Sequence, residues 1–266
     1  MVLTAETGMK REAAILAMVI TGGLGFLVGL MIHLSPGDVP ARGEGSLLGV
    51  PTAGGATALV VIEEFSEFQC PYCGKAALES VKKLKERYGD RLSLRFHHFP
   101  LRSHKQAIPA AKAAMAAGIQ GKFWEMHDLL FANRKELSTE KYVELARQLG
   151  LDPDRLLWDM DDPRMEEYIQ ADIRLSKKLG LRGAPTFYIN GKQLVGAQPP
   201  DAFAEIIDAE LAAAEALAGV EAGDVYRQRA AANGASEAFL THVVDGEPVA
   251  TPAKKKALAP GRPAKP

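Results

Sequence analysis

The sequence predicts an α/β domain carried behind a single membrane-spanning helix. Three observations point there: a β-branched run leading into Cys-x-x-Cys and a helical stretch, a long helical block followed by a strand hairpin, and an uncharged segment near the N-terminus. With 266 residues, 47% hydrophobic and 24% charged, the chain can bury a substantial core and has the balance of a folded protein. Only two cysteines occur, which excludes a disulfide-stapled scaffold. The formal charge is −1. Because residues 248–266 carry five basic and no acidic side chains, the middle is net negative, the wrong sign for a nucleic-acid-binding core.

Residues 13–32, AAILAMVITGGLGFLVGLMI, carry no charge. A helix of that length rises about 30 Å, the hydrocarbon thickness of a bilayer. Lys10 and Arg11 precede it and Arg42 follows at a distance, so the positive-inside bias puts the N-terminus in the cytoplasm. A cleaved signal peptide ending near Val39-Pro40-Ala41 is the competing reading, but the apolar run is long for one and the site lies far downstream. Residues 1–34 are therefore read as a cytoplasmic N-terminus and signal anchor, with 13–32 in the lipid bilayer. Residues 35–57, rich in Gly and Pro, read as a flexible tether, and 58–245 as the folded domain. Residues 246–266 read as a disordered basic Pro/Ala/Lys tail.

Within the domain, 58–63 (ALVVIE) reads as a buried strand and Gly74–Tyr88 as a helix closed by Gly89. The alternation in 92–99 (LSLRFHHF) gives a second strand, with Leu92, Leu94, Phe96 and His98 on one face. Residues 103–180 read as helical throughout, with cap-and-start signals at Ser138, Asp152-Pro153 and Asp162-Pro163. Asn190-Gly191, flanked by short apolar runs, signals a hairpin. Asp201 to about Leu217 completes the pattern as an amphipathic helix, and 219–245 is read as one more short helix.

The chemistry lies at Cys70-Pro71-Tyr72-Cys73. At a helix N-terminus the unpaired N–H groups and the dipole stabilise a thiolate on the first cysteine. That thiolate can enter a mixed disulfide, which the second cysteine, one turn on, resolves. Cys70 is expected at the exposed first turn and Cys73 inside. Half a zinc site is the competing reading, but there is no second cysteine pair, and His97, His98, His104 and His127 lack the usual spacing. A short structural disulfide and a soft-metal site for an ion such as copper(I) also compete with the redox reading.

The segments EFSEFQCPYCGKAA, RFHHFPL, FWEMHDLLFAN and GAPTFYINGKQLVGAQP resemble the DsbA-like thioredoxin-fold family of exported bacterial thiol-disulfide oxidoreductases. The resemblance covers about 58–215. It implies a thioredoxin fold whose helical insertion is 103–180, with Cys70 as nucleophile and Cys73 as resolving thiol. It puts Pro185 at a cis-proline that packs against the CxxC, and Pro71, Tyr72, Ala184, Pro185 and Thr186 beside the substrate. Glu64, six residues before Cys70, matches the family's buried acid. Its neighbour Glu63 is the alternative, and strand alternation lets only one of them lie beneath the cysteines. Arg95 reads as a solvated strand residue or as that acid's counter-charge. His98, Trp124, Met126 and His127 read as core.

The resemblance implies no cofactor beyond the redox-active Cys70–Cys73 disulfide, and no metal. Together with the anchor read at residues 13–32, it implies a membrane-tethered oxidase at the bacterial inner membrane, facing the periplasm. Its expected partners are cysteine-containing exported proteins and a membrane redox partner, either a quinone-linked oxidase or an electron donor, and no nucleic acid. A reductase or isomerase kept reduced by a membrane donor is the alternative. The dipeptide departs from the Pro-His of the strongest oxidases. Tyr72 supplies no positive charge, so a less extreme thiol and a redox poise short of theirs are expected.

Overall fold

Five strands form one mixed sheet, β1 (Thr52–Gly54), β2 (Val60–Ser66), β3 (Leu92–His98), β4 (Thr186–Ile189) and β5 (Lys192–Val195), and the central β2 and β4 are the ones rich in β-branched and aromatic residues. The computed structural model describes residues 49–250. The expected anchor at 13–32 and nearly all of the expected tail lie outside these residues. Among the described residues no helix is long and apolar enough to cross a membrane. The strand order is β1-β3-β2-β4-β5. Only β2 and β3 pair in parallel; the other neighbours are antiparallel.

A parallel pair needs a crossover, and helix supplies it. After Cys70 come α1 (Pro71–Lys75), a π-helical segment (Ala76–Val81) and α2 (Lys82–Tyr88). The helix starts three residues before the sequence-based boundary at Gly74, because Pro71 has no N–H to leave unpaired at a first helical position. Between β3 and β4 lie α3 (Ala107–Ile119), α4 (Phe123–Ala132), α5 (Thr139–Gln148), α6 (Pro153–Met160) and α7 (Pro163–Lys178). The caps read from sequence are in place. Ser138 accepts from the Lys141 N–H, Asp152 from those of Asp154 and Arg155, and Asp162 from that of Arg164.

The β4–β5 turn is the predicted one, with φ of 44° at Asn190 and 82° at Gly191, as a primed turn requires. Asn190 also ties the turn to β2, accepting the Val61 N–H at 2.9 Å and donating to the Leu59 carbonyl at 3.0 Å. Beyond β5 are α8 (Pro200–Glu215), α9 (Ala222–Ala232) and α10 (Glu237–Phe239), which runs into a π-helical turn (Leu240–Val244). Residues 219–245 thus hold two helical pieces rather than one.

Strand alternation divides the core. Val60 and Ile62 of β2 pack with Leu84, Leu94, Phe187 and Phe203, while Val61 and Phe65 pack with Leu175, Tyr188 and Tyr226 on the other face. With helices on both faces, every residue of β2 is buried. One boundary moves: the segment read as tether through residue 57 contributes β1, whose Thr52 pairs with Arg95 and Gly54 with Ser93. Composition misleads here because Gly54 serves close approach instead of flexibility. A Cβ at Gly54 would lie 2.0 Å from the Leu92 carbonyl oxygen.

The hairpin also touches the C-terminal helices. A Cβ at Gly191 would lie 2.8 Å from Ala230 Cα, at a φ that side chains resist. Gly191→Ala should therefore cost about 2 kcal/mol or more in denaturant-induced unfolding, from backbone strain and overpacking together. A loss below about 0.5 kcal/mol, the usual range for surface changes, would show that α9 does not pack on this turn.

Candidate active site

β2 ends at Ser66, and the chain turns through Glu67-Phe68-Gln69 to set Cys70 as the N-cap of α1. The Cys70 backbone is extended (φ −68°, ψ 125°), and its sulfur accepts the Cys73 N–H at 3.5 Å. This is the capping geometry in which a sulfur replaces the usual side-chain oxygen. Both cysteines are free thiols. Cys70 is only 2% exposed, against the expectation of an exposed first turn. The covering element is the loop before β4, where Ala184-Pro185 is a cis peptide and the Ala184 carbonyl oxygen lies 3.7 Å from Cys70 Sγ.

The two sulfurs have opposite electrostatics. The Cys73 thiol and the N–H groups of Cys73 and Tyr72 hold the Cys70 thiol down to about 6, against burial and the nearby Glu67. Burial pushes the Cys73 thiol far up, and its hydrogen bond to Cys70 adds to the effect. The first sulfur is thus biased towards the thiolate and the second towards keeping its proton.

Of the residues singled out from sequence, Cys70, Cys73, Ala184 and Pro185 converge. Pro71 and Tyr72 are exposed, Tyr72 at 67%, beside a groove of about 430 Å³ that Leu78 and Arg134 also line. Thr186 does not face this surface. It is buried, and its hydroxyl donates to the Gly183 carbonyl at 2.7 Å, bracing the loop from within.

Glu64 and Glu63 point to opposite faces. Glu64 shares its face with Ile62 and is completely buried, with neither carboxylate oxygen hydrogen-bonded. Burial raises its carboxyl to about 7, the charge of Asp128 adding to the effect and the Ser66 hydroxyl opposing it. The Ser66 hydroxyl also acts on Cys73, in the direction of ionisation. Glu63 is buried on the other face with a full set of partners: His97 Nε2 at 2.7 Å, Arg95 at 3.2 Å and the Tyr226 hydroxyl at 2.9 Å. Arg95 is thus the counter-charge of Glu63, not of Glu64. His98 lies in an aromatic cage of Phe68, Phe96, Phe123 and Tyr168. Met126 and His127 are buried, with Trp124 packed beside His127.

Two polar residues next to the cysteines carry no clear signal in the sequence. Glu67, three residues before Cys70, is buried, and His104 reads from sequence only as a conceivable metal ligand. The His104 Nδ1 contacts Glu67 Oε1 directly. An acid at that spacing before a CxxC is the one available hint, but nothing in the sequence ties it to a histidine 37 residues away.

Comparison with known proteins agrees with this geometry. Residues 61–208 match the model of the DSBA-like thioredoxin domain. The chain is 35% identical over 201 residues to a protein of Salinispora tropica named Na(+)/H(+) antiporter NhaA 3, covering 68% of this chain and 30% of that one. The matched part spans between 22% and 33% of the length of the curated relatives. Among solved structures, a thioredoxin-like oxidoreductase from Silicibacter pomeroyi shares 28% identity at a TM-score of 0.53, covering 60% of this chain and 90% of its own. BdbD from Bacillus subtilis, at 23% identity and a TM-score of 0.57, shares the fold over 65% of this chain and 99% of its own. With a family match over more than half its length and a CxxC at the N-terminus of the helix after β2, the chain belongs to the DSBA-like thioredoxin domain family of thiol-disulfide oxidoreductases.

Proposed function

We propose that this protein is a disulfide-forming oxidase for exported proteins, tethered through residues 13–32 to a bacterial inner membrane with its domain in the periplasm. One observation carries the direction: Cys70 is a stabilised thiolate while Cys73 holds its proton. Stabilising the thiolate stabilises the dithiol form of the enzyme, which makes its disulfide the stronger oxidant. Placement at a membrane is supported by the uncharged 20-residue run and by relatives named as antiporters, of which the matched part forms 22% to 33%.

In the oxidising turnover a substrate thiolate attacks Cys70 Sγ of the Cys70–Cys73 disulfide. The Cys73 sulfur leaves with the electron pair and takes up a proton. A second substrate thiolate then attacks the substrate sulfur of the mixed disulfide and expels Cys70 as thiolate. Two electrons pass to the enzyme, to be removed by a membrane redox partner. Cys70 is the better leaving group because its thiol is the more acidic. Glu64 is the proton donor to Cys73 in this reading, linked to it through the Ser66 hydroxyl that acts on both and protonated in about half the molecules near neutral pH. Tyr72, Pro71 and the Ala184 backbone flank the sulfur that the substrate must reach.

The direction is read from the equilibrium potential against glutathione. A value between about −120 mV and about −270 mV, the poises of DsbA and thioredoxin, is expected, and Tyr72→His should move it upward. In cells the CxxC should be mainly disulfide. A mainly dithiol population would instead make the protein a reductase or isomerase.

The Cys73→Ser variant should accumulate mixed disulfides with exported proteins in the membrane fraction, and Cys70→Ser none. Adducts on Cys73 alone would reverse the roles, and adducts confined to a soluble mature chain beginning near Arg42 would remove the anchor.

Glu64 makes the fold pH-dependent in a stated direction. Its carboxyl keeps a proton up to about pH 7 in the folded state, while the unfolded chain releases it near 4.5. Stability is therefore lost as pH rises through that window. Glu64→Gln should stabilise the protein by about 3 kcal/mol at pH 8 and by almost nothing at pH 4. Equal effects at the two pH values would show that Glu64 does not titrate there.

A further inference from the structure

Glu67 is a carboxylate in an unfavourable place: buried, three residues before the attacking sulfur, and of the same sign as the thiolate. Its own fold holds it there. One oxygen accepts the Gln69 N–H at 2.7 Å, and the Cys70 N–H also acts on the carboxylate. The other oxygen meets His104 Nδ1. The loop carrying His104 is fastened to the same turn, since the Gln69 side-chain oxygen accepts the Gln106 N–H at 2.8 Å. Gln106 in turn accepts the Tyr142 hydroxyl of α5 at 2.9 Å. His104 is thus pinned between the cysteine turn and the helical insertion, with a quarter of its side chain open to solvent.

We propose that Glu67 and His104 act as one positioning unit on Cys70, in which the His104 ring, held against one carboxylate oxygen, takes up the like charge beside the attacking sulfur. The proposal rests on Cys70 being that sulfur. It assigns to a distant loop the compensation that the Pro-Tyr dipeptide does not supply. The carboxylate orients the turn through the Gln69 and Cys70 N–H groups, and the His104 contact keeps it from raising the energy of the thiolate. The ionisable groups around the pair are Cys70 and Cys73 of the site and Tyr142 behind Gln106. Arg102 and Lys105 on the same loop are exposed, where solvent screens them.

Two substitutions that keep the hydrogen-bonding shape separate charge from scaffolding. Glu67→Gln removes the like charge and should lower the Cys70 titration, followed by thiolate absorbance, by about half a pH unit or more. His104→Asn takes away the imidazole held against that carboxylate and should raise it by a similar amount. The double variant should lie near the starting value. The glutathione-equilibrated potential should move with the thiolate, more oxidising for Glu67→Gln and more reducing for His104→Asn. Loosening of the turn would move both single variants the same way, and that outcome, or no movement, overturns the proposal. If the unaltered protein instead ionises at Cys73, the functional reading fails and takes this one with it; ionisation at Cys70 with unmoved variants defeats this one alone.

Discussion

Everything at the site depends on a sulfur taking the place of a helix N-cap oxygen. Cys70 holds that position because β2 is buried on both faces and so fixes where α1 begins. From there the Cys73 N–H and thiol both point at the Cys70 sulfur. A thiolate here satisfies donors that would otherwise be orphaned at the helix end, so ionisation and capping reinforce each other. The loop before β4 completes the arrangement by bringing the Ala184 carbonyl over the same sulfur. Neither contact would survive a register slip between β2 and β4, which pair Phe65 with Thr186 directly beneath that loop.

Two adjacent glutamates show how differently the two faces of one strand can treat the same side chain. Glu63 is paired with His97, Arg95 and Tyr226, and His97 reaches on to Asp172 of α7 at 3.3 Å. Burial would raise the Glu63 carboxyl, but these partners hold it below the ordinary range. The cluster joins β2, β3, α7 and α9, so its carboxylate favours the fold above the usual carboxylate range and loses that effect as pH falls. Against the same burial Glu64 has only the Ser66 hydroxyl, and its carboxyl rises. An unpaired buried acid costs stability. Glu64 and the resolving thiol share the Ser66 hydroxyl as a neighbour, whereas the paired cluster lies on the far face.

Acidic groups surround the site without acting alike. Glu64 lies deep on β2, whereas Glu67 lies at the turn itself, held by backbone N–H groups and His104, and burial raises both carboxyls. The charge of Glu67 opposes ionisation of the attacking sulfur, and the Ser66 hydroxyl acts on both Glu64 and the resolving sulfur. Sulfurs three residues apart come to differ so widely in acidity because their own hydrogen bond lowers one and raises the other, while burial is the largest influence on Cys73.

Much of this was legible in the sequence because its signals are local. Hairpin chemistry at Asn190-Gly191, N-caps at Ser138, Asp152 and Asp162, and a CxxC after a β-branched run each depend on a few consecutive residues. Alternation separated Glu63 from Glu64 for the same reason, since the period of a strand is a property of its own backbone. The sequence could not supply partners. Arg95 could be matched with either acid until the sheet put it across from Glu63, and Thr52–Gly54 looked like tether until β3 offered a free edge. His104 and Glu67, like Ala184 and Cys70, are far apart in the chain and meet only when the loops close. Residue types and their local spacing determined the reaction. Which charge stands beside which sulfur was decided by the tertiary structure, because electrostatic effects depend on distance and burial, and neither is encoded in any short stretch of chain.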